Sequence, residues 1–235
     1  MCISIGCMHA IPFEALSSAS PRSLVMGTHI AQARRIADED TDIVVLRREL
    51  PAPVRAEATR LCDFGPVFRF RHGFAVSELD ERGAQGLFAS MVDGALRDQL
   101  RRDVVALARE WAGLTGRRHA QATLSLVDTD ECRKLHYDYV DLRVVCTYQG
   151  PGTWLAPEAA LDRTALGRGD DADHANGRIC PDPARLVQAG AGDIVFMKGK
   201  SWGPGARGAI HRSPSIEGTG IRRLVLKVDG MKCPC

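Results

Sequence analysis

The chain has 235 residues, of which 45% are hydrophobic and 26% charged. This is the composition of a globular protein rather than of a disordered or fibrous one. Its 31 basic and 29 acidic residues leave a net charge of +2, so neither nucleic acid nor an anionic membrane is expected as a partner. No apolar run reaches the roughly 18 residues of a membrane span. The N-terminal residues lack the features of a secretory signal, so we expect a cytoplasmic protein whose eight cysteines are mostly reduced.

The first half of the chain predicts a short flexible arm followed by strands and helices. Residues 1–25 contain Ser and Pro without periodicity and predict the arm, ahead of a single domain over residues 26–230. Strands are predicted within 41–50, from a β-branched run, and within 67–76, from alternating polarity. A short helix is predicted between them. An amphipathic helix, which Gly94 is expected to bend or divide, follows them and ends at Gly116.

The second half of the chain has the sequence pattern of a β-protein. The runs "ATLSLV", "LRVVCTY", "DIVFMK" and "IRRLVLKV" are rich in β-branched residues and are separated by Gly-rich turns. Several short strands with such turns predict a sandwich, barrel or jelly roll over residues 120–230. The polar, Gly-rich stretch 162–186 is expected to cross the surface. The predicted class is therefore α+β, with N-terminal helices packed on a β-barrel core.

One group of residues predicts a metal-binding site. His136 and Asp138 are two positions apart before a predicted strand, so in extended backbone their side chains point the same way. His211 follows one later predicted strand, begins another, and is the candidate third ligand. Two histidines and one carboxylate with open positions form the facial triad of non-haem Fe(II) oxygenases.

The last predicted strand supplies a candidate anchor for a bidentate co-substrate. One of its faces carries Leu224, Leu226 and Val228, and we expect this more apolar face to line the barrel interior. Arg222 shares that face, and an arginine in an apolar interior needs an anionic partner. Arg222 is therefore the first candidate and Arg223 the second, while Tyr148 is a candidate to bond the same co-substrate.

These residues resemble two groups of proteins. The order His-x-Asp, distal His and then Arg looks like the 2-oxoglutarate-dependent Fe(II) oxygenases. That resemblance implies a double-stranded β-helix (jelly roll), Fe(II) held by His136, Asp138 and His211, and 2-oxoglutarate held by Arg222 or Arg223. It also implies hydroxylation of a C–H bond in a small-molecule or peptide substrate. The segments "LHYDYVDLRVVCTYQGPGTWL", "GDIVFMKG" and "GAIHRSPS" are similar to a bacterial family, domain of unknown function 1826.

Two alternatives remain open at this level. The likeness to the second family also implies a link with zinc handling, in which His136, His211 and either Cys132 or Cys146 hold zinc without catalysis. A metal-dependent hydrolase is the other alternative. Lys198, Lys200 and Arg207 lie in the Gly-rich loop before His211 and would suit an anionic substrate if that loop borders the site.

The cysteines near the two ends of the chain form a separate question. The tail 231–235 contains Cys233 and Cys235, and a second cluster with Cys2 and Cys7 is possible only if the termini meet.

Overall fold

The computed structural model describes residues 24–78, 94–168 and 171–231, which form two β-sheets and several helices. The larger sheet consists of β1 (Leu24–Gly27), β2 (Ile43–Leu46), β3 (Phe68–Ala75), β4 (His119–Val127), β5 (Leu142–Gln149), β8 (Ile194–Lys198) and β10 (Arg223–Gly230). The smaller sheet consists of β6 (Trp154–Ala156), β7 (Val187–Gln188) and β9 (Ile210–Arg212). The strand orders are β1-β2-β8-β5-β10-β4-β3 and β7-β6-β9. Among these described strands, only β1 and β2 pair in parallel.

The helices of the described residues comprise three α-helices and several 3-10 turns. The α-helices are α1 (Ala52–Phe64), α2 (Ala95–Thr115) and α3 (Ala172–Ile179). The 3-10 segments are Ile30–Ala37, Val76–Glu78, Glu158–Ala160, Arg163–Ala165 and Pro183–Arg185. The long predicted helix is confirmed over α2, which begins after Gly94 and ends at Gly116 in the left-handed region with φ of 67°. The part of that prediction that precedes Gly94 lies mostly outside the described residues.

Helices cover one face of the larger sheet, and the smaller sheet covers part of the other. The apolar stripe of α2 packs with alternate residues of the sheet in one core cluster. That stripe consists of Leu96, Leu100, Val104, Leu107 and Trp111. On the opposite face, Val145, Val195 and Val225 pack against Leu155 of the smaller sheet. We call the first the helical face and the second the inner face of the larger sheet.

The predicted strands and class agree with the structure, whereas the predicted extent of the barrel does not. The sheet extends beyond residues 120–230, because β1, β2 and β3 come from the first third of the chain and flank the later strands. Among the described residues the two sheets are not joined by strand pairing into a closed barrel. The last two residues of the predicted arm, Leu24 and Val25, belong to β1. The rest of the arm and the tail after Met231 lie outside the described residues.

The stretch 162–186, predicted as a surface excursion, contains a helix. Asp171 accepts hydrogen bonds from the backbone N–H groups of Asp173 and His174 and so caps the start of α3. Ala175 and Ile179, four residues apart, are buried in a third core cluster with Leu135. This helix therefore packs beside the segment that leads to His136.

No helix in the described part of the chain combines the length and the apolar character that crossing a bilayer requires.

Candidate metal centre

The three predicted ligands converge. His211 Nε2 lies 3.2 Å from Asp138 Oδ2, and His136 Nε2 lies 3.8 Å from Asp138 Oδ1. One ligand atom from each residue falls within 4.8 Å of the other two. His211 is 7% exposed, and the other two side chains are partly buried. Two imidazole nitrogens and a carboxylate at this spacing can share one cation.

Backbone pairing brings the distant histidines together. His136 and His211 form an isolated antiparallel bridge, in which each N–H donates to the other's carbonyl at 3.1 and 3.0 Å. On its other side, His211 pairs with Leu155 of β6. Side chains of directly opposed residues lie on the same face of a sheet, and the two imidazole ring centroids are accordingly 4.6 Å apart.

Neighbouring segments fix the backbone on both sides of His136. The Asn176 side chain of α3 accepts from Leu135 N–H at 2.6 Å and donates to the Arg133 carbonyl at 2.9 Å. Beyond the histidine, Lys200 N–H donates to the Asp138 carbonyl at 2.8 Å. These bonds use backbone or amide groups, so they hold the ligand segment in place without consuming ligand atoms.

The hydrogen bonds of the two imidazoles set their tautomers. His136 Nδ1 lies 2.7 Å from the Lys134 carbonyl and His211 Nδ1 lies 3.1 Å from the Ala209 carbonyl. A carbonyl only accepts, so each Nδ1 is the donor and each Nε2 faces the site. As a neutral imidazole, His211 then has no proton for Asp138, whose carboxylate also only accepts. Either a proton on Nε2 or a metal ion between Nε2 and the carboxylate satisfies both acceptors, so the donor set fits a bound metal ion.

The surroundings of His136 and Asp138 favour the protonation states that metal binding needs. Burial lowers the pKa of His136 below its ordinary value, and the neighbouring His211 lowers it further. Burial by itself raises the pKa of Asp138, but His211 and Arg143 outweigh this and hold it well below its ordinary value. A neutral imidazole and an ionised carboxylate are the ligand forms of these side chains.

Arg143 is a site residue that the sequence analysis did not identify. Its Nη1 donates to Asp138 Oδ2 at 2.7 Å, and its Nε and Nη2 donate to Asp229 Oδ2 at 2.9 and 2.6 Å. All three side chains are at most 23% exposed. Arg143 therefore orients the carboxylate ligand. Its position in a strand buried on both faces was the available signal, since such a charge needs a partner.

The faces of β10 are the reverse of the expected arrangement. Arg222 immediately precedes β10 and donates to the carbonyls of Cys62 and Gly65 at 2.7 and 2.6 Å, at the end of α1. Arg223 is 1% exposed and shares the inner face with Val225. The apolar residues of β10 face the helices because the helices form the larger apolar layer. This corrects the prediction that Arg222 points into the barrel.

Tyr148 also points away from the ligands. It is fully buried in the helical-face core, where its hydroxyl donates to Asp103. The expected role of Tyr148 in co-substrate binding is therefore corrected, because its side chain lies on the opposite side of β5 from Arg143.

The cysteines of the zinc alternative do not join the histidines. Cys146 is buried on the helical face, where its Sγ lies 3.3 Å from Arg48 Nη2. Cys132 is an exposed free thiol. Within the described ranges, the group of potential ligands around His136 and His211 contains Asp138 and no cysteine. Cys2, Cys7, Cys233 and Cys235 lie outside those ranges.

Comparisons with known proteins identify the family. The family model described as "Protein of unknown function (DUF1826)" matches residues 27–229. The chain belongs to this family. The predicted membership is thereby confirmed, over nearly the whole described part of the chain. No curated protein matches the sequence.

Solved structures give weaker likenesses. A Pseudomonas putida prolyl-4-hydroxylase is 13% identical over 86% of this chain and 98% of its own, with a TM-score of 0.44. A bsmA homolog from Methylobium petroleophilum PM1 is 13% identical over 91% and 99%, with a TM-score of 0.43. A full-length Neurospora crassa protein in complex with alpha-KG is 9% identical over 85% and 78%, with a TM-score of 0.40. All three TM-scores are below 0.5, so we base the function on the geometry of the site.

Proposed function

We propose that the protein is an Fe(II)- and 2-oxoglutarate-dependent oxygenase that hydroxylates a C–H bond. The observation that carries this proposal is the convergence of His136, Asp138 and His211 within 4.8 Å, with no further ligand group among the described residues. Three protein ligands leave coordination positions for a bidentate co-substrate and for dioxygen, whereas a closed four-ligand site does not. When bound, the metal and 2-oxoglutarate supply the activation of dioxygen.

The residues of the chain have distinct roles in this proposal. His136 and His211 would present their Nε2 atoms to the metal, and Asp138 would present its carboxylate. Arg143 and Asp229 are positioning residues, because Arg143 holds one oxygen of Asp138 and is itself held by Asp229. Loss of such outer contacts to a metal ligand typically lowers metal affinity by about 10- to 100-fold.

Arg223 is the residue we assign to the distal carboxylate of 2-oxoglutarate. Its guanidinium is nearly fully buried and is fixed at one nitrogen, where Nε donates to the Pro151 carbonyl at 2.7 Å. Ser125 lies on the same inner face of the sheet, opposite Val225. Its Oγ is buried without a hydrogen-bond partner in the described part of the chain. A buried guanidinium and a free hydroxyl are suitable donors for a carboxylate.

The two sheets would then form the two walls of a double-stranded β-helix, with the metal near one edge of the space between them. Apolar contacts between Val145, Val225 and Leu155 support this arrangement, because they hold the inner face of the larger sheet against the smaller one.

The test is formation of succinate. The full chain is purified anaerobically, loaded with Fe(II) and 2-oxoglutarate, and exposed to oxygen. We expect iron-dependent succinate release that Asp138→Ala lowers by at least about a hundredfold, since this variant removes one of three ligands. Asp141→Asn is the matched control, because Asp141 lies three residues away in an ion pair with the exposed Arg117.

Two results would contradict the proposal. The first is the absence of succinate from protein that binds Fe(II) and 2-oxoglutarate. The second is tight zinc binding through thiols without turnover, which would support the zinc-handling alternative instead.

A further inference from the structure

A cavity on the inner face of the larger sheet is lined mainly by polar and charged side chains. Its volume is about 330 Å³, and β3, β4, β5 and β10 all contribute to it. Four of its lining residues are cations, namely Arg69, Arg71, Arg143 and Lys227, whereas one is a carboxylate, Asp229. Small-molecule sites usually begin at about 300 Å³, so this volume suits a compact metabolite.

The cavity adjoins the candidate metal centre. Arg143 lines the cavity, and its guanidinium donates to Asp138 Oδ2 at 2.7 Å. Val140, two residues after Asp138, is also part of the wall. A molecule in the cavity is therefore separated from a metal ligand by one arginine side chain, which makes the cavity the natural position for the molecule to be oxidised.

The charged groups around the cavity include more cations than carboxylates. Arg143 is shared between Asp138 and Asp229. Lys227 and Arg69 both bind Glu131, at 2.9 and 2.7 Å. Arg71 makes no ion pair or hydrogen bond within the described ranges.

Arg71 is therefore the cation that remains available at the cavity. Arg223, which we assign to 2-oxoglutarate, is a further buried cation on the same face. The two charges of a ferrous ion and the two of 2-oxoglutarate cancel, so loading the site leaves this positive excess unchanged.

The cations expected from sequence to bind an anion are occupied elsewhere. Lys198 Nζ donates to the Asp38 carbonyl, and Lys200 Nζ donates to the Ala206 carbonyl. Arg207 pairs with Asp42 at 3.0 Å. The charges of Lys198 and Arg207 therefore tie the end of β8 and the Gly-rich loop to Asp38 and Asp42, and none of these three cations lines the basic cavity.

We propose that the primary substrate is a small organic anion, and that its carboxylate, phosphate or sulfonate group is bound by Arg71 with Arg69 at this cavity. Arg71 and Arg69 are neighbours on the same face of β3, two residues apart. They lie on the edge strand, across the sheet from Arg143 on β5. The charged end of the substrate is thus held away from the metal ligands while its carbon chain extends toward Arg143. This inference rests on the proposed function.

The experiment is calorimetric titration of the full chain at low ionic strength with acids and their neutral analogues. The probes are inorganic phosphate, glycerol 3-phosphate against glycerol, succinate against succinamide, and ethanesulfonate. We expect at least one anion to bind and its neutral analogue not to bind. Arg71→Gln should weaken that binding by at least about fivefold, since a charge-assisted hydrogen bond is lost. Comparison of the affinities for the phosphate, carboxylate and sulfonate probes identifies the preferred anionic group.

Arg60→Gln is the matched control, because Arg60 is an exposed arginine of α1. The inference is overturned if no probe binds up to about 10 mM, if acids and neutral analogues bind equally, or if Arg71→Gln binds as the wild type does. It is also overturned if Arg223→Met, and not Arg71→Gln, abolishes binding, because the anion then occupies the co-substrate position.

Titration without metal separates this inference from the proposed function. Anion binding that depends on Arg71, in a protein that forms no succinate, would support the cavity and refute the oxygenase. Succinate formation without Arg71-dependent anion binding would do the reverse.

Discussion

The two faces of the larger sheet are formed by the same strands but carry different kinds of side chain. On β10, the residues on the helical face are Leu224, Leu226 and Val228, all fully buried. The inner-face residues of the same strand are Arg223, Val225, Lys227 and Asp229. Successive side chains of a strand point to opposite faces, so one segment supplies both an apolar core and a charged cavity.

Charged groups on the two faces differ in how fully they are paired. On the helical face, Arg48 binds both oxygens of Asp103, and Gln99 and Tyr148 also donate to that carboxylate. This network uses its donors and acceptors internally, as a stable buried network must. On the inner face the Ser125 hydroxyl is buried without a hydrogen-bond partner among the described residues, and Arg71 is exposed. This difference supports the proposals above, which place the ligands on the inner face.

The largest expected effect on stability is at the centre of the helical face. Trp111 is fully buried and its Nε1 donates to the Leu142 carbonyl at 2.8 Å. Trp111→Ala should lower the free energy of unfolding by about 3–5 kcal/mol, measured by urea denaturation, while the folded fraction keeps its metal affinity. Trp202→Ala is the control, since Trp202 is only partly buried at the edge of the same core. Equal losses of unfolding free energy in Trp111→Ala and Trp202→Ala would contradict the view that the centre of the helical face stabilises the fold.

A sharper test uses two adjacent arginines on opposite faces. Arg222→Met removes the donors at the end of α1 and should cost about 1–2 kcal/mol of stability, with no change in 2-oxoglutarate affinity. Arg223→Met should weaken 2-oxoglutarate binding by about tenfold or more, since tenfold corresponds to about 1.4 kcal/mol. Titration with Fe(II) present and urea denaturation measure the two quantities. The assignment of the faces fails if Arg222→Met is the variant that weakens 2-oxoglutarate binding.

The smallest expected effect concerns Glu131, which binds two cavity cations. Burial raises the pKa of Glu131, but Lys227 and Arg69 outweigh this and lower it below the ordinary value of 4.5. A carboxylate with a lowered pKa in the folded state stabilises the protein above its unfolded pKa, and this contribution is lost as the pH falls.

Glu131→Gln should therefore cost about 1 kcal/mol at pH 7 and progressively less below about pH 4.5. Urea denaturation of both proteins at pH 7, 4 and 3 checks this. A difference that stays constant over that range would show that the ion pairs contribute nothing.

Local sequence patterns were enough to find most strands and the ligand types. Alternation located β3, β-branched runs located β2, β4, β5, β8 and β10, and the apolar stripe located α2. The His-x-Asp pair before β5 and the histidine after β8 named the three groups that the structure brings together. The short strand β9 was predicted only as a strand that begins at His211, and β1, β6 and β7 were not predicted, because two to four residues carry no periodic signal.

The sequence by itself therefore determined three things. Periodicity and β-branched runs indicated the α+β class, and the motifs indicated the family likeness and the order of the ligands along the chain. Only the tertiary structure decided which face of β10 is the inner one, because alternation defines two faces without saying which layer covers each. It also decided the partners of Arg143, since Asp229 is 86 positions away in the chain. Such contacts depend on which distant strands pair with each other, so they cannot be derived from the residues of one segment alone.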